Sequence, residues 1–581
     1  MTGEHWAPTP PEPPARPDPF AIANLDDVSR ASEIDRDLAL MTRRLEQDPT
    51  NVPYLFFLGR TLVGLGRIAE GIEWLRKRKV AGGADEEAWY AEYCEGLALL
   101  RTDEHERGVA VLLSAHARRP HRNEPLLALA RHLRSRLQYA QAFDLAERAC
   151  RRTAACDDHG ALDRLFLEPA DYDTAPLQEA MAAAFHLVDR WEDGRDAGEE
   201  ILRTQGYSDL VYEHALQVLC CYLRKAMAAP PGELPRCDLV RLARASGRFP
   251  VSEALRTSSV RHWGLREPNR TEYAPKNPSC VVFGGRLLVN VPIVNYRHER
   301  GRVFASKDPD GIVRTRNVIL DWDLARRIPR GESESHIELP SGWPREPRVR
   351  GLEDQRWCLH EGRIWFTATT YHAPRASPRG PQVVLGRQGT TMAGPDLLLA
   401  LHWEGAKACE KNWLPFSCDG RLFLLYGYDP MTVLEVDPDT GRCATHHQSV
   451  PDVNTRDWRG GAVLPLPDGS FLLLVHQTAR FWEADLRAIE ADRTVYLHRL
   501  VRLDSRYQVR AHSDLFVFDH VGVEYACGLA MTGPSTVIIT YGSEEREARW
   551  AELDLATLNA QLRREVASDT RADLAPRQAA G

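Results

Sequence analysis

The chain has 581 residues, with 74 basic and 82 acidic side chains and a formal net charge of -8. This length exceeds what one hydrophobic core supports, so it predicts more than one domain. The charges are well mixed, without the basic stripe of a nucleic-acid-binding protein, and the absence of any run of about 18 apolar residues predicts no membrane span.

Residues 1–33 are rich in proline and lack the basic and apolar stretches of a secretory signal. They are predicted to form a disordered or extended leader, and the chain is expected to be cytoplasmic. The 12 cysteines show no CxxC spacing, which predicts reduced thiols instead of disulfides or a zinc site. Neither a metal nor a cofactor is predicted.

Residues 34–228 show helical periodicity, with apolar residues at three- and four-residue steps in stretches such as YLFFLGRTLVGLG and PLLALARHLRSRL. Small residues recur at spacings of 37 and 34 residues, as Gly59, Gly96 and Ala130 and again as Gly71, Gly108 and Ala142. The pattern resembles the tetratricopeptide repeat, in which small residues let paired helices pack closely. Such a solenoid is expected to dock a protein partner. A non-repetitive helical bundle is the alternative.

A linker is predicted over residues 229–270, a β-rich domain over 271–556 and a tail over 557–581. Within the β-rich domain an apolar strand follows a tight turn in a recurring phrase, seen as FGGRLLVNV, HEGRIWFTA, CDGRLFLLY and PDGSFLLLV, with TVIITYG as a related late strand. Five such units predict a five-bladed β-propeller. A β-sandwich would explain the strands but not the recurring unit.

The innermost strands of a propeller line its central channel, so polar clusters next to each unit's hairpin are candidate ligand contacts. They are Asn277-Pro278-Ser279, Asn295-Tyr296-Arg297, Arg314-Thr315-Arg316-Asn317, Glu353-Asp354-Gln355-Arg356, Glu410-Lys411-Asn412-Trp413, Arg459-Gly460-Gly461, His476, Glu524 and Tyr541-Gly542-Ser543-Glu544-Glu545.

These motifs, in this order, resemble glycoside hydrolase family 130, a family of five-bladed propellers that are β-mannoside phosphorylases, hydrolases and mannosyltransferases. The phrases EKNWLPF, VRTRNVILD, RGGAVLPL and GVEYACGLA resemble an uncharacterised bacterial branch more closely. In that branch the propeller is often joined to tetratricopeptide segments and associated with family-2-like glycosyltransferases.

The resemblance implies an inverting, single-step transfer at an anomeric carbon. It makes Asp354 the proton donor and Arg356 and Lys411 an anion clamp, with Arg297 or Arg316 as a further cation. An inverting hydrolase also needs a second carboxylate roughly 6.5–9.5 Å away to activate water. Glu353, Glu524 and Glu545 are the candidates, and Glu545 is paired with Asp354 as the predicted catalytic couple.

The predicted substrate-binding residues are Asn277, Arg297, Arg316, Glu353, Arg356, Lys411, Trp413, Tyr426, Arg459, His476 and Glu524. Two departures from the family pattern matter: Gln355 replaces the motif proline, and Gly427 follows Tyr426 where the phosphorylases often carry a histidine. The second departure argues against phosphate as the acceptor. Structural interpretations stay open, with the acids and Arg356 as an ion-pair network and Trp413 as core packing.

The leading functional hypothesis is a carbohydrate-active propeller that acts on mannose-like β-glycosides or sugar nucleotides, as hydrolase, phosphorylase or glycosyltransferase. Its helical repeats would dock a protein partner. The alternative is a non-catalytic glycan-binding scaffold that recruits a glycosyltransferase through its repeats.

Overall fold

The computed structural model of the protein describes residues 10–14, 18–21, 28–155, 169–230, 245–262, 265–267, 271–299, 302–346, 348–374, 380–481 and 494–564. Its helices are α1 Val28–Gln47, α2 Val52–Gly64, α3 Ile68–Val80, α4 Asp85–Leu100, α5 His105–Arg118, α6 Glu124–Ser135, α7 Tyr139–Ala155, α8 Thr174–Ala184, α9 Trp191–Arg203, α10 Asp209–Ala228, α11 Glu253–Thr257 and α12 Leu555–Gln561. None of these helices combines the length and the apolar character that crossing a membrane requires. The cysteines among the described residues are free thiols.

Helices α2 to α9 pack as consecutive pairs, as the repeat interpretation predicts. Asn51 caps the start of α2 by accepting a hydrogen bond from the Tyr54 backbone N–H, which satisfies a donor that the first turn leaves unpaired. The small residues lie where the paired helices touch. A Cβ at Gly59 would lie 3.0 Å from the Leu75 backbone nitrogen, and one at Gly96 would lie 2.7 Å from Leu112 Cγ. The regular spacing of small residues therefore reflects close helix contact.

Gly71 offers a test of this packing. A Cβ there would lie 2.5 Å from Val63 Cγ2 and 2.7 Å from the Gly59 carbonyl oxygen. We expect Gly71→Ala to lower the free energy of unfolding by about 1–2 kcal/mol, because overpacking outweighs the gain in helix propensity. The matched control is Gly331→Ala, where a Cβ meets no atom within 4 Å. Equal unfolding free energies for the two variants in chemical denaturation would contradict the close-packing account.

The described strands are β1 Ala245–Arg248, β2 Val260–His262, β3 Leu265–Glu267, β4 Ala274–Pro275, β5 Ser279–Phe283, β6 Arg286–Val294, β7 Tyr296–Glu299, β8 Arg302–Ser306, β9 Val313–Asp323, β10 Ile328–Ser335, β11 Val349–Arg350, β12 Glu353–His360, β13 Arg363–Thr370, β14 Gln382–Gln388, β15 Pro395–Ala400, β16 Leu414–Cys418, β17 Arg421–Tyr428, β18 Met431–Val436, β19 Cys443–Ser449, β20 Arg459–Pro465, β21 Phe471–Arg480, β22 Thr494–Leu503, β23 Val509–His512, β24 Glu524–Met531, β25 Thr536–Ser543, β26 Glu547–Asp554 and β27 Arg563–Arg564.

Five antiparallel sheets, counted over the described residues, form the blades of a β-propeller. Blade 1 holds β5, β6, β9 and β10, blade 2 holds β12–β15, and blade 3 holds β16–β19. Blade 4 holds β20–β23 with β27 at its edge, and blade 5 holds β24–β26 with β1. The first strands of the blades, β5, β12, β16, β20 and β24, contact one another in a closed ring. The predicted fold class, helical repeats followed by a five-bladed propeller, is therefore confirmed.

Burial of the second strand in each blade explains why the apolar phrases were visible in the sequence. In β6 every residue after Arg286 is buried, and in β21 only Thr478 and Arg480 are not. A strand covered on both faces reads as a continuous apolar run instead of an alternating one. The neighbouring blades supply both covering faces.

The last blade of the propeller is completed by β1, which lies within the predicted linker 229–270. β1 pairs with β26 in antiparallel register, and Gly247 lies opposite Trp550. Phe249 packs edge-to-face on Trp322, at 5.1 Å between ring centroids. The structure thus differs from the predicted boundaries. Part of 229–270 is propeller, part of the tail 557–581 is α12 and β27, α1 begins at Val28, and residues of the leader 1–33 lie against the helices.

The helical domain is joined to blade 4 by an apolar cluster shared between α8–α10 and strands β21 and β22. A buried ion pair crosses this joint, with Arg499 Nη2 2.8 Å from Glu199 Oε2 and both side chains at most 2% exposed. Burial acts to raise the pKa of Glu199, but the charges of Arg499 and Arg195 outweigh it and hold that pKa below its ordinary value. Arg195 also pairs with Asp514 of the propeller at 3.1 Å.

Removal of Arg499 should weaken the whole chain. We expect Arg499→Met to lower the free energy of unfolding by about 3–5 kcal/mol, because it leaves Glu199 charged and buried without its partner. Arg502→Met on the same strand is the control, since its partner Asp468 is mostly exposed and a surface pair contributes about 1 kcal/mol or less. Denaturant titrations of both variants measure the difference. A loss at Arg499 no larger than that at Arg502 would show that the joint does not depend on this pair.

Candidate functional site

Several of the polar clusters predicted from the sequence lie next to the starts of innermost strands, at one end of the propeller. Asn277, Asp354, Asn412 and Gly460 each adopt a left-handed φ next to the start of an inner strand, at 23°, 49°, 60° and 53°. Non-glycine residues rarely occupy this region, and such conformations concentrate at functional sites. In β12 the pairing register shifts between Glu353 and Arg356, which takes Asp354 out of the sheet ladder.

Polar contacts between neighbouring blades join blade 1 to blades 2 and 5. Asn277 Nδ2 donates to Asp354 Oδ1 at 3.0 Å, and Lys276 Nζ lies 3.1 Å from Glu545 Oε2. Lys276 is only 4% exposed, and its ammonium lies 4.3 Å from the ring centroid of Tyr296. Side chains that are distant in the sequence therefore meet in one polar cluster, which we call the axial cluster.

Arg356 connects blade 2 to blades 3 and 5. Its guanidinium is 3% exposed, and Nη2 donates to Asn412 Oδ1 at 2.9 Å and to the Tyr525 hydroxyl at 2.7 Å. Tyr525 in turn donates to Asn412 Oδ1 at 2.9 Å. The Arg356 side chain also interacts with the Cys527 thiol, and the charge of Asp354 acts on it. Arg356 therefore places a buried positive charge next to the acids of the cluster.

Glu353 is the acid of the cluster whose protonation differs most from that of an exposed carboxyl group. Burial, and secondarily the charge of Asp354, raise its pKa to about 7 against the opposing charges of Lys411 and Lys276. Glu353 also interacts with Tyr296, whose own pKa burial raises well above the ordinary value. A buried carboxyl group that holds a proton near neutral pH can donate it directly or resupply it to a neighbouring group.

His476 lies on β21 against Gly460 and the ring of Tyr525. Its ring centroid is 5.0 Å from that of Tyr525 and 4.9 Å from that of Tyr496. Burial, followed by the nearby His498 and Arg356, lowers the pKa of His476 well below its ordinary value, so the ring is neutral near pH 7. A Cβ at Gly460 would lie 2.8 Å from His476 Cε1, which explains the glycine.

The other predicted cations lie at the exposed edge of the cluster. Lys411 is exposed but close enough to oppose the raised pKa of Glu353. Arg459 is about half exposed and pairs with Asp457 at 3.1 Å. Its charge still acts on His476 and Tyr496.

Two of the predicted site residues lie in a neighbouring contact around Glu410. Trp413 is 2% exposed and donates from Nε1 to Glu410 Oε2 at 3.0 Å. The Tyr426 hydroxyl donates to Glu410 Oε1 at 3.1 Å. Trp413 therefore packs in the core between blades 2 and 3, and the contacts of its ring do not place it in the axial cluster.

Three further predicted residues are placed differently from the axial cluster. Arg316 makes a two-bond ion pair with Glu334 and donates to the Leu255 carbonyl, so its guanidinium is used within blade 1. Glu524 is fully buried and accepts hydrogen bonds from the backbone N–H groups of residues 518–520, which anchors that loop. The side chain of Arg297 lies outside the described residues, although its backbone forms part of β7.

The cluster contains three residues that the sequence analysis did not select: Lys276, Tyr496 and Tyr525. Tyr296 and Asn412 stood in its candidate clusters but were not among the predicted substrate-binding residues. Lys276 and Tyr525 are each adjacent in sequence to a selected residue. Their position next to the start of an inner strand could therefore have identified them as site candidates. Tyr496 lies on the third strand of blade 4 and is placed only by the fold. Over the described residues no group of histidine, cysteine or acidic side chains has the arrangement of a metal site.

Together the fold and the cluster define a helical-repeat protein with a propeller whose axial end presents acids, cations and hydrogen-bonding side chains. No family model and no curated protein matches the chain. A solved structure from work on GH130 glycoside hydrolases that target β-1,2-mannosidic linkages in Candida mannan is 14% identical, has a TM-score of 0.38, and covers 55% of this chain and 96% of that one.

Two further solved structures are similar to the separate parts of the chain. The mannose phosphorylase MPT-4 from Leishmania mexicana is 12% identical with a TM-score of 0.33, over 51% of this chain and 87% of that one. The MamA protein is 19% identical with a TM-score of 0.23, over 33% of this chain and 86% of that one.

The raised pKa of Glu353 gives a prediction for pH dependence. A carboxyl group whose pKa rises from about 4.5 to about 7 on folding binds its proton more tightly in the folded state, so stability falls as the pH rises through that range. Glu353→Gln cannot titrate. We expect its free energy of unfolding, relative to wild type, to improve by about 1–3 kcal/mol between about pH 5 and about pH 8.

Denaturant titrations at the two pH values measure this change. Glu361→Gln, in the exposed turn between β12 and β13, is the matched control and should give the same difference from wild type at both values. If the Glu353 and Glu361 variants show the same pH profile, Glu353 is charged in the folded protein at neutral pH.

Proposed function

We propose that the propeller is a carbohydrate-active enzyme that transfers or hydrolyses mannose-like β-glycosides with inversion at the anomeric carbon. The observation that carries the proposal is that Asp354, Arg356 and Glu545, spread over nearly 200 residues of sequence, each contact a residue of another blade: Asn277, Tyr525 and Lys276. Folding alone does not require polar and charged groups of different blades to pair in this way. The order of the motifs that carry them resembles glycoside hydrolase family 130.

In this proposal Asp354 delivers the proton to the leaving oxygen, directly or through a sugar hydroxyl. Asn277 holds one of its carboxylate oxygens at 3.0 Å. The adjacent Glu353, with a pKa of about 7, retains a proton at neutral pH in part of the molecules and can resupply it. General acid catalysis of this kind contributes about 100- to 10,000-fold to the rate.

The second catalytic carboxylate in the proposal is Glu545. Its Oε2 lies 3.1 Å from Lys276 Nζ, and in this proposal Glu545 is the general base that activates water. Glu524, the other candidate from the sequence, accepts three backbone hydrogen bonds and serves the loop at 518–520 instead.

Lys411 and Arg459 at the exposed edge bind substrate hydroxyls or an anionic group in this proposal, and the buried Arg356 adds its positive charge to the same cluster. Tyr426 bonds to Glu410, and Gly427 follows it where a phosphate-binding histidine would stand. Water or a sugar is therefore the proposed acceptor, and a nucleotide-activated mannose is the donor in the transfer version of the reaction.

Substitution of Asp354 tests the proposal. Mannose release from β-linked mannobioses in water, the same reaction with inorganic phosphate, and mannose transfer from a nucleotide sugar should be measured side by side. We expect Asp354→Asn to lower the turnover rate of whichever reaction the wild type performs by about 100- to 10,000-fold, because amide cannot supply the proton. Asp396→Asn, on the outer part of blade 2 beside Arg387, should leave the rate unchanged.

Thermal melting of both variants separates loss of chemistry from loss of fold. Equal turnover by the wild type and Asp354→Asn would reject Asp354 as the acid. Binding of the same sugars by the wild type without any turnover would favour the glycan-binding scaffold.

A further inference from the structure

The leader segment, here residues 10–14 and 18–21, lies along one face of the helical domain. Pro10 and Phe20 are buried, and Phe20 is 1% exposed within the apolar cluster that includes Phe56 of α2 and Tyr93 of α4. A proline-rich segment without regular hydrogen bonding of its own gains such burial only by packing on another element. The helices therefore bind two described stretches of an extended chain, residues 10–14 and 18–21.

Specific polar contacts fix the leader segment at intervals along this face. Glu12 Oε2 lies 2.6 Å from Arg134 Nη1 of α6, and the Pro11 carbonyl oxygen lies 3.1 Å from His214 Nε2 of α10. Asp18 pairs with Arg101, the residue that ends α4, at 2.7 Å. Each contacted helix is the first helix of its pair or the equivalent α10. A solenoid presents its extended binding surface along such a row of equivalent helices.

The aromatic end of the segment is held by two interactions at once. Arg101 lies over the Phe20 ring, with Cζ 4.7 Å from the centroid, while its Nη2 binds Asp18. Asp18 Oδ1 also accepts from the Phe20 backbone N–H at 3.0 Å, which forms a tight turn at Pro19. One arginine thus recognises an acid followed two residues later by an aromatic ring.

The cations that bind the leader segment would remain paired or solvated if the segment dissociated. Arg134 keeps a second partner, since its Nε donates to Glu179 Oε2 at 3.1 Å. Arg101 is 40% exposed, so water can solvate it once Asp18 is gone. Departure of the segment therefore leaves no buried cation unpaired, unlike the loss of a partner at the joint with blade 4.

We propose that this face is a peptide-binding groove, that the leader segment occupies it as an intramolecular ligand, and that the partner is an extended acidic segment of the same chemistry. Its recognition pattern is a carboxylate, five intervening residues that include prolines, a second carboxylate and then a proline and an aromatic ring, as in EPPARPDPF. Because tethering gives the leader a high effective concentration, a partner binds well only when the leader is displaced. This inference does not depend on the chemistry of the propeller.

Fluorescence anisotropy with the labelled synthetic peptide TPPEPPARPDPFA, residues 9–21, tests the proposal on the full chain. The wild type should bind this peptide weakly, because its own leader competes. Phe20→Ala in the chain removes the aromatic anchor of the competitor, and we expect the peptide to bind at least about tenfold more tightly. Phe57→Ala is the matched control, since Phe57 is 47% exposed on α2 and lies outside the leader.

Further variants test whether the peptide binds in the proposed groove. Asp18→Asn should also tighten peptide binding. Because the Asp18 side chain is 44% exposed, this variant leaves the core intact and serves as the test if Phe20→Ala reduces stability. Adding Arg101→Ala to either variant should weaken binding by about tenfold or more, and a peptide with alanine in place of its phenylalanine should bind no variant.

Three outcomes would overturn the proposal. The first is peptide binding that is equal in the wild type, Phe20→Ala and Asp18→Asn chains. The second is binding that survives the addition of Arg101→Ala. The third is a wild-type chain that forms dimers in sedimentation and becomes monomeric with Phe20→Ala, because the leader would then occupy a second copy of the chain.

Discussion

Closure of the ring of innermost strands is the constraint on which the rest of the propeller depends. β5, β12, β16, β20 and β24 contact one another in sequence and back to the start, so each blade's position is set by two neighbours. The last blade is completed by β1, which comes from the segment just after the helical domain. Because closure joins strands from both ends of the β-rich region, the axial cluster cannot assemble until most of that region has folded.

The closed ring also determines the electrostatics of the axial cluster. Acids and cations from different blades are held together where burial makes each charge depend on its neighbours, as the opposed effects of Asp354, Lys411 and Lys276 on the pKa of Glu353 show. Arg356 is held by Asn412 and Tyr525, which are neutral, so its positive charge is not cancelled by a contacting carboxylate. Such an arrangement is costly for stability and is characteristic of a site that binds a ligand.

Elements whose burial leaves a periodic pattern could be predicted from the sequence. Elements that are defined only by tertiary contacts could not. The phrase FGGRLLVNV predicted its hairpin because β6 is covered on both faces, and Gly59 and Gly71 showed their spacing because helix contact excludes a side chain there. The strand ASGR at β1 has no apolar alternation and is defined by pairing with β26 alone. It was therefore assigned to a linker.

The same limit applies to the site. Arg316 and Arg356 look alike in sequence, since each stands among polar residues near a strand. The structure separates them by their partners, because Arg316 pairs with the carboxylate of Glu334 whereas Arg356 donates to the neutral Asn412 and Tyr525. Likewise Glu524 is fully buried and accepts hydrogen bonds from backbone N–H groups, whereas Glu545 is partly exposed and pairs with Lys276. Position at the end of a strand was enough to predict candidate site residues. Their hydrogen-bond and ion-pair partners depend on how neighbouring blades pack, which the sequence does not show.

The buried joint links the two functional proposals physically. Glu199 and Arg499 fix α9 on β22, and β22 also carries Tyr496, whose pKa is affected by Glu545 and Asp354 of the axial cluster. The neighbouring α10 carries His214, which contacts the leader segment. In the proposed groove, a ligand that contacts α10 is held by an element that packs on blade 4, the blade that carries His476 and Tyr496. Because this joint fixes α10 on blade 4, an acidic segment docked on α10 would keep a constant position relative to the propeller.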